Sequence, residues 1–124
     1  MPLKPTILVV DDYAHTRNML FDLLSDDYQV LTAVDGLEAM HYYTEHGSRF
    51  VAIVSDVEMP RVNGRQLVEW LQQQGADVPV ILMSGYTGQA AIEPLLQPGL
   101  VMKLSKPFDI NDLLALLSDL VSPQ

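Results

Sequence analysis

The chain has no cysteine. That excludes a disulfide framework, a thiolate metal centre and a thiol nucleophile. Basic residues are scarce: 7 Lys and Arg stand against 16 Asp and Glu, for a formal charge of −9 and an isoelectric point near 4.4. Bulk electrostatics therefore oppose direct binding of nucleic acid or of an anionic membrane, and they suit a metal cation. No apolar stretch approaches the ~18 residues of a membrane span. The opening Met1-Pro2-Leu3-Lys4-Pro5 is too short and too broken for a secretory signal. A soluble cytoplasmic protein, with no membrane insertion, is expected. There is no low-complexity tract, interdomain linker or longer-period repeat, and Gly85 and Gly88 lack the spacing of a Walker phosphate loop.

What is present is an ordinary globular composition. The chain has 124 residues, 48% of them apolar, enough for one domain with a real core. Short apolar runs alternate with amphipathic segments about five times. The pattern predicts strands near 6–11, 28–33, 51–55, 78–83 and 100–104. The first and third are apolar almost throughout, as strands covered on both faces should be. Helices are expected in the gaps. Met19, Leu20, Leu23 and Leu24 form an apolar stripe on 14–25. Asp35 with Glu38 resembles a capping box for 36–46, with Gly47 as its C-cap. Leu67, Val68 and Leu71 face inward on 64–74, which Gly75 stops. Asp109 starts a last helix with Leu113, Leu116, Leu117 and Leu120 inward. A further helix within 86–97 is expected to be short or irregular, because Pro94 interrupts it. Such alternation predicts an α/β fold, a parallel sheet with helices on both faces. Ligands bind such sheets outside the carboxyl ends of the strands.

That edge is where the chemistry-bearing residues fall. Asp11 and Asp12 follow the first run, Asp56 ends the third, Ser84 follows the fourth and Lys106 follows the fifth. Three crowded carboxylates repel one another, and a hard cation removes the conflict. Magnesium prefers oxygen ligands, and Asp11, Asp12 and Asp56 with a carbonyl near Glu58 could supply part of its shell. Such a cation could neutralise an incoming phosphoryl group, with Lys106 offering an ammonium and Ser84 a hydroxyl. The acceptor would be a carboxylate and the product an acyl phosphate.

Five features in order then carry a resemblance: Asp11-Asp12, Asp56, Met59-Pro60 with Asn63-Gly64, Ser84-Gly85, and Lys106-Pro107-Phe108. At these separations the chain resembles the receiver domain of two-component response regulators over nearly all of residues 5–121. The resemblance implies a flavodoxin-like doubly wound sheet of five parallel strands in the order 2-1-3-4-5, with residues 1–124 as one domain. It implies that Asp56 accepts a phosphoryl group from a phosphohistidine on a sensor kinase or phosphotransfer protein. Asp12 and Asp56 would bind Mg2+ directly, Asp11 would assist and the Glu58 carbonyl would complete the protein ligands. Ser84 would move toward the phosphoryl group, Lys106 would pair with it, and the Lys106–Pro107 bond would be cis. The expected activity is a switch that catalyses only its own phosphorylation and dephosphorylation, with a downstream protein target and, in some arrangements, a homodimer. Glu58 and Tyr86 would stand near the water that hydrolyses the acyl phosphate.

The sequence departs from the family pattern in three places. Lys103 occupies the position where many receivers carry an aromatic ring, Gly99-Leu100 replaces a common Gly-Ala pair, and Pro94 disturbs the fourth helix. All three fall on the face many receivers use for output, so a non-standard version of that face is expected. Plainer readings exist for single residues: a strand-end aspartate capping a loop, a turn serine, a solvated lysine. Their alignment favours the phosphoacceptor. His15, His41 and His46 have no convincing metal-ligand spacing, and Met19, Met40, Met83 and Met102 read as core fillers. A constitutive pseudo-receiver interaction module is the runner-up, although no acid and no lysine of the pattern is missing. A small phosphohydrolase is third, and the length leaves no room for a cap domain. The chain would be either a single-domain regulator or a receiver excised from a longer protein such as a hybrid kinase.

Overall fold

The computed structural model describes residues 4–85 and 92–121. Five strands, β1 (Thr6–Val10), β2 (Gln29–Ala33), β3 (Phe50–Asp56), β4 (Val80–Ser84) and β5 (Val101–Ser105), form one parallel sheet in the order β2-β1-β3-β4-β5. The doubly wound expectation and its strand order are met. Among the described residues, three helices connect the strands: α1 (Ala14–Leu24), α2 (Gly36–His46) and α3 (Gly64–Gln73). A C-terminal helix spans Ile110–Val121.

The sheet divides the core by strand periodicity. Leu8 and Val10 of β1 point into the layer shared with Ala39, Leu67, Val68 and Leu71 of α2 and α3. Ile7 and Val9 point into the opposite layer, against Leu20 and Leu24 of α1 and Leu113 and Leu117 of the C-terminal helix. β1 is buried along its whole length because both faces are covered.

The helix ends largely follow the expected chemistry. The α3 helix closes with Gly75 at φ +70°, where Gly75 N donates to Gln72 O and Ala76 N to Leu71 O. Its start carries a full capping box, Asn63 with Gln66, which the sequence reading did not single out. For α2 the box is displaced. The Asp35 carboxylate accepts from Glu38 N at 2.9 Å, but the Glu38 carboxylate accepts from Val34 N rather than from the cap residue. Gly47 is the C-cap of α2, as expected, in a right-handed conformation that leads into a short 3-10 turn.

One expectation is corrected. Met19 and Leu23 are exposed at 39% and 44%. Only Leu20 and Leu24 of α1 reach the core, so the buried stripe is one residue wide per turn and Met19 is no core filler. The first half of the segment 86–97, where a short or irregular helix is expected, lies outside the described residues, and so does Tyr86. Of that segment the structure describes a 3-10 turn, Glu93–Leu95, which takes Pro94 at its start, where a missing N–H does no harm.

The cap of α2 also carries a pH dependence. Burial pushes the Asp35 carboxyl up, but the Glu38 N–H and the Arg61 guanidinium outweigh it and hold the group below the usual carboxylate range. A depressed folded-state value stabilises the fold above the unfolded value, about pH 4, and that contribution is lost as pH falls through the folded value. Asp35→Ala is expected to cost about 1–2 kcal/mol near neutrality and less under acid conditions. Denaturant melts of both proteins across pH 2–7 check this, and a difference independent of pH would contradict it.

Candidate functional site

Each candidate side chain sits where a strand stops. Asp11 follows β1 and Asp56 ends β3, adjacent strands in which Val10 pairs with Ser55. Register across β3 and β4 sets Asp56 beside Met83, and register across β4 and β5 sets Ser84 beside Ser105. Lys106 is the next residue, and its N–H donates to Ser84 O at 2.8 Å. The Lys106–Pro107 peptide is cis. Parallel pairing thus gathers residues up to 95 positions apart in sequence at one sheet edge.

Asp11, Asp12 and Asp56 each offer a carboxylate oxygen, and these oxygens lie within 4.8 Å of one another. Asp11 and Asp56 are buried, and Asp12 is exposed at the mouth. The Lys106 ammonium lies 2.8 Å from Asp56 Oδ1. Asp56 is 6% exposed. Asp11 is held by two contacts the sequence reading did not find. Its Oδ1 accepts from Tyr13 N at 2.9 Å, and its backbone carbonyl accepts from Arg17 at 2.9 Å. A basic residue one turn into the helix after the acidic pair was the available signal for the second.

Two buried polar atoms have no hydrogen-bond partner among the described residues: Asp11 Oδ2 and Ser84 Oγ. Buried polar groups are normally paired, so each of these atoms is open to a further partner. Burial pushes the Asp11 carboxyl up, and the neighbouring Asp56 and Asp12 push the same way against the Tyr13 N–H and the Lys106 ammonium. The site is thus short of positive charge. It is also tightly built: a Cβ at position 64 would come within 2.5 Å of the Asp56 carbonyl, so only glycine lets α3 start this close to the end of β3. Glu58 lies two residues past Asp56 and is exposed.

Residues 7–118 match the family described as response regulator receiver domain. The chain belongs to that family. Receiver domains are the phosphoacceptor regulatory units of two-component signalling and are not enzymes acting on a separate substrate. This one is 36% identical over 111 residues to the sensor histidine kinase RcsC of Salmonella typhi, a match covering 86% of this chain and 11% of that protein. It is 35% identical over 116 residues to response regulator MprA of Mycobacterium sp. (strain KMS), covering 93% and 49%. The Francisella response regulator 1452 receiver domain superposes with a TM-score of 0.85 at 27% identity, covering 95% of this chain and 97% of that one. The receiver chain therefore spans about a tenth of the kinase and about half of the regulator. No helix among the described residues is long and apolar enough to cross a membrane.

Proposed function

We propose that Asp56 is the phosphoacceptor of a Mg2+-dependent switch supplied by a phosphohistidine on a sensor kinase or histidine phosphotransfer protein. One observation carries this: the carboxylates of Asp11, Asp12 and Asp56 converge at a sheet edge with the Lys106 ammonium 2.8 Å from Asp56. An Asp56 carboxylate oxygen attacks phosphorus, the phosphorus–nitrogen bond of the donor breaks, and the imidazole leaves with that electron pair. The product is an acyl phosphate. Lys106 would turn from the Asp56 carboxylate to a phosphoryl oxygen, and the Ser84 hydroxyl, which has no partner among the described residues, would donate to another. Both act by position and charge, which is most of what phosphoryl transfer asks of a protein.

Mg2+ fits this donor set, because the set is all oxygen and one buried carboxylate oxygen of Asp11 has no partner among the described residues. Asp12 and Asp56 would hold the ion, Asp11 would assist and the Glu58 carbonyl would complete the protein ligands. When bound, it supplies charge that offsets the clustered carboxylates and the transferred group. Asp11→Asn is expected to raise the stability of the metal-free protein by roughly 1 kcal/mol, since a buried charge repelled by two neighbouring carboxylates is removed. The same change should shrink the rise in melting temperature that Mg2+ gives the wild type. Thermal scans with Mg2+ and with a chelator read both effects. A metal-free protein destabilised by the substitution, or an undiminished Mg2+ response, would contradict the assignment.

The output face departs from the common pattern. Lys103 carries no ring to bury and instead pairs with Glu93 at 3.1 Å, next to Pro94. Signal therefore leaves through Ser84 and β5 by a route that does not bury residue 103. Beryllofluoride with Mg2+ separates this switch from a constitutive interaction module. The switch predicts amide chemical-shift changes at residues 56, 84 and 106, and the constitutive module predicts none.

A further inference from the structure

The loop after the acceptor strand is tied to a helix that touches none of the chemistry. Asp35, the N-cap of α2, is 2% exposed. Its Oδ1 accepts from Glu38 N, and its Oδ2 accepts from Arg61 Nε at 2.7 Å and from the same guanidinium's terminal nitrogen. Arg61 lies five residues past Asp56 and adopts φ +66°, a left-handed conformation in which a side chain is strained. A strained residue persists only where its surroundings hold it, and here the buried carboxylate does so. A second tie runs alongside, from Gly36 N to Val62 O at 3.0 Å. Any Cβ at position 36 would collide with the Val62 backbone and side chain, so the two segments meet without a gap. At its inner end the loop closes on itself through Gly64 N and Val57 O at 2.9 Å. Glu58 lies between the two anchorages.

We infer that Arg61 is a positioning residue for the cation site. Its ion pair with Asp35 sets the path of residues 57–64, and through that path the placement of the Glu58 carbonyl toward Mg2+. This rests on the Mg2+ reading given above. Groups that orient metal ligands without touching the ion commonly govern affinity. The pair is suited to this role because Asp35 is itself immobilised by the start of α2, so the loop is referenced to a rigid helix. A merely structural staple would affect folding and leave Mg2+ affinity alone.

Titration calorimetry of the whole chain with Mg2+, without phosphoryl donor, tests the inference on four variants. Arg61→Ala and Arg61→Gly should each weaken Mg2+ binding roughly 10-fold. The glycine variant relieves the left-handed strain, so its melting temperature should stay at or above that of the alanine variant while its affinity still falls. Asp35→Asn keeps a capping oxygen but loses the charge, and should weaken binding in step. The Asp35→Asn/Arg61→Ala double variant should match the weaker single to within about twofold, because both break one link. With acetyl phosphate, the Mg2+ concentration for half-maximal phosphorylation should rise while the rate at saturating Mg2+ holds. Affinities of the folded Arg61→Gly and Asp35→Asn proteins within about twofold of wild type would overturn the inference. A wild-type chain that binds no Mg2+ would overturn the metal reading and this inference with it. Normal wild-type binding with unaffected variants would overturn only the inference.

Discussion

Asp56→Asn is expected to leave a folded protein that accepts no phosphoryl group. The asparagine keeps the size and shape of the side chain at the end of β3, but an amide oxygen is not a nucleophile that yields a stable acyl phosphate. The fold should survive because the backbone there is held by pairing with Met83 and by Val57 N donating to Met83 O at 3.1 Å. Two electrostatic changes oppose each other. Repulsion between Asp56 and the buried Asp11 is relieved, while Lys106 loses its partner. Its side chain is 36% exposed, so water replaces the lost contact. A shift in melting temperature of only a few degrees is expected. Intact-mass measurement after incubation with acetyl phosphate and Mg2+ should show one added phosphate on the wild type and none on the variant. Equal uptake by both would place the acceptor elsewhere.

Lys106→Ala should slow phosphoryl transfer by roughly 100-fold or more, the usual result of deleting one preorganised charge at a developing anion. The ammonium is the cation nearest Asp56, at 2.8 Å, and no other side chain on the described surface makes that contact. The local backbone should be unaffected, since the Lys106 N–H that donates to Ser84 O is retained. The loss should therefore appear in the rate, alongside a lower melting temperature of the metal-free protein, because the buried Asp56 carboxylate loses its neighbouring cation. Rapid-quench measurement of phosphate uptake at saturating Mg2+ checks this. A rate unchanged from wild type would remove Lys106 from the chemistry.

The parts of this protein that could be read from sequence are those governed by period and by strand ends. The continuous apolar runs of β1 and β3 announced strands covered on both faces, and the residues just past those runs had to fall at one edge. Lys106 and Asp56 could be brought together in this way although 50 residues separate them. What escaped reading depends on direction, not on type. Met19 and Leu23 have apolar side chains but lie on the outer side of α1, because Leu20 and Leu24 already fill the narrow contact with the sheet. Glu38 stands at the right spacing for a capping box, yet its carboxylate reaches past the cap to Val34. The Arg61–Asp35 pair joins two loops 26 residues apart and depends on a left-handed backbone at a non-glycine residue, which no pattern announces. Lys103 was visible as a missing ring, but its pairing with Glu93 across the turn was not.

The central claim is that three carboxylates and one ammonium at this sheet edge make Asp56 the site of a Mg2+-dependent acyl phosphate. Mapping the modified residue tests it most directly. Wild-type protein is incubated with a phosphohistidine donor, reduced with borohydride to convert any acyl phosphate to homoserine, and sequenced by tandem mass spectrometry. The account predicts homoserine at position 56 alone, formed with Mg2+ and absent when the metal is chelated. Homoserine at another carboxylate, or the same yield at position 56 in the presence of chelator, would contradict it.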